Sequence, residues 1–334
     1  MLFFKTADFI TMKNDIKTTI EDLLNQGVSE VIDRARLKKR LLGGEKLRIK
    51  YGADPTRPDL HLGHWAGMRK LKILQDLGHK IIFIIGDFTA RIGDPSERSK
   101  TRPSMSEEEI EKNSLTYFDQ IGKILDISKI EIRKNSDWFS KMNLGEIIKL
   151  ASNFTVARII ERDDFQKRLK RGIDIGLHEL LYPTMQAYDS VVLDIDLEVA
   201  GNDQKFNVHA ARNLQKKLGK KEQDILLVPL LVGLDGKEKM SKSLDNYVGI
   251  TDAPNQMFGK IMSIPDEIVM DYFRLCTDVA EEEINKTEKE IKSGNFNWRD
   301  AKLNLAWEIV KIFHGEKTAQ EAKIYFIETF SRRK

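Results

Sequence analysis

Three patterns in succession between residues 47 and 85 constrain the fold more than any other feature of the chain. Leu47-Arg48-Ile49-Lys50-Tyr51-Gly52 alternates at period two, the mark of a strand. From His64 to Leu77 the apolar positions recur at helical spacing through Met68, Leu71, Leu74 and Leu77. Ile81-Ile82-Phe83-Ile84-Ile85 is then apolar without a break, as expected for a strand buried on both faces of a parallel sheet. Strand, helix and strand in this order make a βαβ unit, which predicts a parallel sheet with helices packed on it. Leu226-Leu227-Val228-Pro229-Leu230-Leu231 reads as a further buried strand.

Around this unit the punctuation is clear. Residues 14–42 carry helical spacing twice, first in Ile16, Ile20, Leu23 and Leu24, then after Gly27 in Val31, Ile32, Leu37 and Leu41. Two short helices stopping at Gly43-Gly44 are expected. Asp54 to Asp59 is a loop punctuated by Pro55 and Pro58, and Ser106 with Glu109 forms a capping box at the head of a helix. Residues 137–188 read as mostly helical, Gly233 to Asp245 as a charged loop, and everything past Asp252-Ala253-Pro254 as helix. The 334 residues suggest about two domains at roughly 150 residues each. The division expected is an N-terminal helical segment (1–45), a doubly wound α/β domain (46–248) with a helical insertion at about 135–175, and an α-helical domain (249–334).

Composition removes several function classes. With 55 Lys and Arg against 52 Asp and Glu, the net charge of +3 is not that of an obligate nucleic-acid coat. Two basic clusters, Arg34–Arg40 and Arg158–Arg171, read as solvated helix faces, with contact to an acidic polymer as the alternative. No apolar run approaches the roughly 20 residues of a membrane span. Met1 to Asp8 lacks a basic region leading into an apolar stretch, so no signal peptide is expected. The single cysteine, Cys276, makes neither an internal disulfide nor a cysteine-based zinc site, and a cytoplasmic location is the expectation.

Ligands of open α/β sheets bind beyond the carboxyl ends of the strands, where helix N-termini present free N–H groups. Two segments with suitable chemistry are expected at that edge. The first is His61-Leu62-Gly63-His64, at the mouth of the helix after the first strand. Its glycine permits close approach, and its imidazoles can donate to phosphate oxygens. A zinc pair is the competing reading, but no third ligand of suitable type is near in sequence. The second is Lys239-Met240-Ser241-Lys242-Ser243, in the loop after the last predicted strand. Two ammonium groups three residues apart suit a loop closing over a polyphosphate; an ordinary lysine-rich surface loop is the plainer explanation of this segment alone. Taken together, the two segments match a triphosphate.

In this combination the chain resembles the class I aminoacyl-tRNA synthetases, whose HIGH and KMSKS signatures match His61–His64 and Lys239–Ser243. It is similar in particular to the bacterial tyrosyl-tRNA synthetases, through Gly52-Ala53-Asp54-Pro55-Thr56, Gly93-Asp94-Pro95-Ser96, Tyr182-Pro183-Thr184-Met185-Gln186-Ala187-Tyr188-Asp189 and Gly201-Asn202-Asp203-Gln204. The likeness runs from about residue 30 to 330. It implies a Rossmann-like catalytic domain, ATP as substrate with Mg²⁺ and no permanently bound cofactor. It also implies L-tyrosine and tRNA(Tyr) as the other substrates, and a homodimer with its interface in the 135–175 insertion. Tyr182, Gln186 and Asp94 are then expected to hold the tyrosine ammonium, with Gln204 on the carboxylate and Asp189 accepting the phenolic proton. Tyr182 and Gln186 share one helical face, with Asp189 near the same stripe. A buried partner for the phenol would reject phenylalanine, which leaves that partner unpaired. Asp54, Gly63, Gly201, Asp203, Met240, Ser241 and Ser243 are expected on ATP. His61, His64, Lys239, Lys242, Arg98, Arg102 and Thr56 are expected on its phosphates, and no metal is assigned to protein ligands.

Two features depart from the family pattern. Many members place a tyrosine at the position of Lys50, where it binds the phenol oxygen; Lys50 either donates to that oxygen or pairs with Asp189. Many also carry a further small RNA-binding domain, whereas this sequence stops at Arg332-Arg333-Lys334, as a truncated or a minimal form. A tryptophan enzyme of the same class and an inactive RNA-binding paralogue are the alternatives. Asp189 argues against the first, and the intact histidine and lysine signatures argue against the second.

Overall fold

The computed structural model describes residues 16–55, 60–95 and 106–330. In chain order they form α1 (16–25), β1 (Glu30–Ile32), α2 (Arg34–Leu42), β2 (Arg48–Ala53), α3 (Leu62–Asp76), β3 (Lys80–Ile85) and α4 (Glu107–Ile121). There follow β4 (Ile130–Lys134), α5 (Ser136–Phe139), α6 (Leu144–Ala151), α7 (Val156–Ile159), α8 (Asp163–Lys170) and α9 (Tyr182–Val192). Then come β5 (Leu197–Gly201), α10 (Lys205–Lys217) and β6 (Asp224–Val228). The remainder is helical: α11 (Pro254–Met262), α12 (Val269–Cys276), α13 (Glu281–Lys292), α14 (Trp298–His314) and α15 (Glu316–Phe330).

The chain divides into two compact units. The first takes the described residues of 1–24, 28–58 and 70–228, and the second those of 25–27, 59–69 and 229–334.

The first unit is built on a six-stranded sheet of order β1-β6-β5-β2-β3-β4. All neighbours are parallel except β1, which runs antiparallel to β6 at the edge. The expected βαβ unit is present, with β2 and β3 in parallel register from Arg48–Lys80 to Ala53–Ile85. Ile81 to Ile85 are buried at 1 % exposure or less, as their uninterrupted apolar run requires. Beneath α9 and α10 a cluster of Ile82, Ile84, Met185, Ala187, Val191, Ala211 and Leu214 seals the sheet against the helices that carry the candidate site. The second unit contains α11–α15, and the loop from Gly233 to Asp245 contains only a short 3₁₀ turn, Lys242–Leu244.

Several expectations need correction. Val31 and Ile32 do not lie in a second helix of the N-terminal segment. Gly27 at φ +60° ends the first helix, and Glu30–Ile32 pair with Ile225–Leu227 as β1. A three-residue edge strand is too short to show a period, so helical spacing in the surrounding sequence hid it. The strand expected at Leu226–Leu231 begins at Asp224 and ends at Val228, because Pro229 has no N–H for the ladder. Strands β4 and β5 were not expected at all. The Arg34–Arg40 and Arg158–Arg171 clusters are not simply solvated faces. Arg40, Arg162 and Arg168 are buried and paired, Arg40 with Glu45, Asp196 and Asp224, and Arg168 with Glu179. The Ser106–Glu109 capping box is formed reciprocally. Among the described residues no helix is long and apolar enough to cross a membrane.

Candidate active site

In the second unit the two signature segments, far apart in sequence, lie side by side. The Leu62 N–H donates to the Val248 carbonyl (3.0 Å) and the Ile250 N–H to the Leu60 carbonyl (3.1 Å), so His61 bridges to Gly249 just past the KMSKS-like loop. That loop returns on itself through a Val232–Lys239 bridge and a Met240 N–H bond to the Leu231 carbonyl (2.7 Å). Its keystone is the buried Asn246. Its side chain accepts from the Ser241 N–H (2.8 Å) and donates to Asp235 (2.8 Å) and to the Lys239 carbonyl (3.2 Å). Gly233 leaves the space this needs, since a Cβ there would sit 2.2 Å from the Asn246 amide nitrogen. The Ser241 hydroxyl caps the turn that carries Lys242 by accepting from the Ser243 N–H (3.3 Å), and it also lies 2.8 Å from the Ser243 hydroxyl. Met240 is buried, and its Cβ is 3.7 Å from where a Cβ on Gly63 would be.

The protonation of the two histidines follows from their backbone partners. Nδ1 of His61 accepts from the Gly63 N–H (3.2 Å), and Nδ1 of His64 accepts from the His61 N–H (3.3 Å). A ring nitrogen that accepts carries no proton, so the proton of each neutral imidazole is assigned to Nε2, which becomes a donor. Burial holds both rings neutral. It pushes His64 down to about 3 and His61 well below the ordinary histidine value, and the nearby Lys242 and Lys239 charges push the same way. The rings stand 4.0 Å apart. Gly63 makes their arrangement possible, since a Cβ there would lie 2.9 Å from the His61 ring. Two N–H donors and two ammonium groups thus share one unit, a donor set matched to phosphate oxygens. Among the described residues no three metal-ligating side chains gather, so a zinc pair at His61 and His64 has no third protein ligand there.

The remaining candidates gather in the first unit around the carboxyl ends of β2 and β5 and the helix α9. Tyr182, at the head of α9, donates its phenol to Oδ2 of Asp54 (2.9 Å), while Oδ1 of Asp54 accepts from the Thr89 hydroxyl (2.9 Å). Burial, then the Asp54 and Asp94 charges, push the Tyr182 phenol well above its ordinary value, so it remains a neutral donor. Gly86 makes room for this carboxylate, because a Cβ there would overlap Oδ1 of Asp54 at 1.9 Å. Gln204 donates to Asp94 (2.6 Å) rather than capping α10, and Asn207 ties Gln204 (2.9 Å) to Gln186 (2.7 Å). Arg162 reaches the same cluster through Asn207 and through Asp94 at 3.6 Å. Gly201 ends β5 and Asp203 follows in a 3₁₀ turn, near enough to Tyr51 for its charge to raise that phenol further above the effect of burial.

Asp189, on α9, is only 4 % exposed and accepts from the Trp138 indole N–H (3.0 Å). Burial raises its carboxyl to about 7, against the opposite pull of Lys50, Trp138 and Asn135. Lys50 shares strand register with Glu198, and it is Glu198 that it pairs with (2.9 Å), not Asp189. That departs from both roles considered for Lys50. The carboxylate on the next strand lies closest, and its identity depends on which strand stands beside β2. Thr56, Arg98 and Arg102 lie outside the described residues. Sequence reasoning missed Thr89, Asn135, Trp138, Arg162, Glu198 and Asn207. Only Asn207 carried a local signal, lying one helical turn after Gln204.

The mostly parallel sheet of the first unit, and the neutral imidazoles set beside a lysine-bearing loop in the second, carry the marks of the class I synthetases. The family model of class I tRNA synthetases (W and Y) matches residues 43–331, and the chain belongs to that family. It is 48 % identical to the tyrosine–tRNA ligase of Thermotoga maritima over 311 residues, covering 93 % of this chain and 78 % of that one. To the tyrosine–tRNA ligase of Francisella tularensis it is 50 % identical over 319 residues, 96 % of this chain and 80 % of that one. Within the family it falls among the bacterial-type tyrosine–tRNA ligases, and ligation of tyrosine to tRNA is its activity. Its fold resembles a C-terminally truncated mitochondrial tyrosyl-tRNA synthetase of Aspergillus nidulans (TM-score 0.76, 22 % identity, 98 % of this chain and 100 % of that chain). It also resembles the tyrosyl-tRNA synthetase of Archaeoglobus fulgidus, solved with L-tyrosine (TM-score 0.73, 24 % identity, 92 % and 99 % covered).

Proposed function

We propose that the ligase works in two steps, with L-tyrosine, ATP and tRNA(Tyr) as substrates. The tyrosine carboxylate attacks the α-phosphorus of ATP, forming the carboxyl–phosphate bond of tyrosyl-adenylate as the bond to pyrophosphate breaks. The terminal ribose hydroxyl of the tRNA then takes the tyrosyl group and AMP leaves. The first step needs no general base, because the nucleophile is already ionised at neutral pH. What the protein supplies is position and charge. The neutral Nε2–H groups of His61 and His64 and the ammonium groups of Lys239 and Lys242 stabilise charge on the triphosphate as pyrophosphate departs. Arg98, Arg102 and Thr56 are assigned to the same phosphates by resemblance, and Mg²⁺ enters with ATP as part of that substrate. Asp54, Gly63, Gly201, Asp203, Met240, Ser241 and Ser243 are assigned to ATP on the same ground.

For the amino acid, Tyr182, Gln186 and Asp94 form the ammonium site, Gln204 meets the carboxylate, and Asp189 takes the phenolic hydrogen bond. The observation that carries the reading is the neighbouring of His61–His64 with the Lys239–Ser243 loop inside one unit. The homodimer is supported by a set of large apolar side chains exposed in the insertion: Leu144 (74 %), Ile148 (60 %), Val156 (62 %) and Leu169 (49 %). A cytoplasmic location accompanies this role in translation. Amino-acid-dependent exchange of pyrophosphate into ATP tests the proposal. Exchange with tyrosine and not with tryptophan or phenylalanine is expected. Exchange with tryptophan alone, or with no amino acid, overturns it.

A further inference from the structure

Lys50 is 1 % exposed, and all three of its ammonium donors are engaged. They go to Oε1 of Glu198 (2.9 Å), the Ser190 hydroxyl (2.8 Å) and the Gln186 carbonyl (3.0 Å). A lysine so placed has no donor left for a ligand. Its counter-charge, Glu198, is equally buried and is the residue paired with Lys50 in the register of the parallel strands β2 and β5. The other oxygen of Glu198 accepts from the Gln223 amide (2.6 Å) and from the Ser190 hydroxyl (3.3 Å). Gln223 in turn is held at its backbone N–H by Gln215 of α10 (2.7 Å). The pair therefore links two central strands to α9 at Gln186 and Ser190, the residues that bracket Asp189.

We propose that Lys50 and Glu198 are positioning residues for amino-acid selection, a buried ion pair that fixes α9 so that Gln186 and Asp189 meet the ammonium and phenol of tyrosine together. The inference rests on the functional reading above and adds to it two residues that touch no substrate. Glu198 has a second role: by balancing Lys50 it keeps that ammonium from turning to Asp189. Around Asp189 the charged groups are Lys50 of β2 and Glu198 of β5, and the hydrogen-bonding ones are Trp138 of α5 and Asn135 just before it. Removing both members of the pair at once leaves no lone buried charge, so the fold is expected to survive.

The test is the double variant Lys50→Met, Glu198→Gln beside wild type, by pyrophosphate exchange. The expected result is a KM for tyrosine raised about tenfold and a tyrosine-to-phenylalanine ratio of kcat/KM lowered by a similar factor, with the KM for ATP within twofold of wild type. The midpoint of the pH profile of kcat/KM for tyrosine moves upward, because the lost Lys50 cation acts on Asp189 more strongly than the lost Glu198 anion. Ser190→Ala, which removes one Lys50 acceptor and no charge, shifts the same ratio in the same direction by about threefold and serves if the double variant does not fold. An unchanged ratio and midpoint in a folded double variant, or an unchanged ratio in Ser190→Ala where the double variant does not fold, overturns the inference and leaves the function standing. A wild-type protein without tyrosine-dependent exchange overturns both.

Discussion

Replacing Asp189 by asparagine turns the burial of one carboxyl into a measurable change of stability with pH. Asp189 is 4 % exposed, and burial raises its carboxyl from 3.8 to about 7 while Lys50, Trp138 and Asn135 pull it down. The folded chain thus holds this proton more tightly than the unfolded chain does. Below pH 3.8 both states are protonated and the group has no effect. As pH rises past 3.8 the unfolded chain ionises first, which favours unfolding until the folded carboxyl ionises near 7. At about 1.4 kcal/mol per unit, the full cost is about 4 kcal/mol above pH 7, of which about 3 kcal/mol is incurred between pH 5 and pH 8. Asparagine keeps an oxygen for the Trp138 N–H and does not titrate. Urea unfolding of both proteins at pH 5 and pH 8 isolates the effect, since every other titrating group cancels in the difference. The variant is expected to gain about 3 kcal/mol on wild type between the two pH values. A difference that stays constant within about 0.5 kcal/mol refutes the assignment of a buried, proton-retaining carboxyl.

Other outcomes follow from the same geometry. Asp189→Ala should lower the tyrosine-to-phenylalanine ratio of kcat/KM by ten- to hundredfold in pyrophosphate exchange, the loss of about 1.5–3 kcal/mol from one hydrogen bond to a charged group; an unchanged ratio would place the phenol elsewhere. Lys242→Ala is expected to slow tyrosine-dependent exchange about a hundredfold while tyrosine binding, measured by calorimetry, stays within twofold, as the proposed role of the ammonium on the leaving phosphates requires. Gly86→Ala puts a methyl group on Oδ1 of Asp54 and so frees Tyr182. A tyrosine KM at least tenfold higher is the expected reading, and a wild-type KM in the folded variant would count against the Asp54–Tyr182 contact.

Some of this was available in local sequence. A run such as Ile81–Ile85 allows hardly any other environment than the middle of a parallel sheet, and the alternation over Leu47–Gly52 located β2 to within one residue. The Ser106–Glu109 box is a contact between near neighbours, so its atoms are set by the helix itself. The histidine and lysine signatures were legible for a chemical reason, since few other uses gather imidazole, ammonium and bare glycine. The short edge strand β1 was hidden because three residues show no period. Arg162 and Arg168 looked like surface charges because their carboxylate and amide partners are far from any spacing rule.

The sequence by itself determined the strand-helix-strand core, the mostly helical C-terminal region and the imidazole and ammonium groups of the two signatures. Each of these is a property of adjacent residues, in which the backbone period forces one face or both to be apolar. Only the tertiary structure decided that β5 stands beside β2, and with it that Lys50 finds Glu198 instead of Asp189. It alone decided that Asn246 would hold the lysine loop and that Gly86 would clear a space for Asp54. The physical reason is that strand order and loop closure bring together residues more than a hundred positions apart in some cases. A buried charge then takes whichever partner that order sets within 3 Å of it.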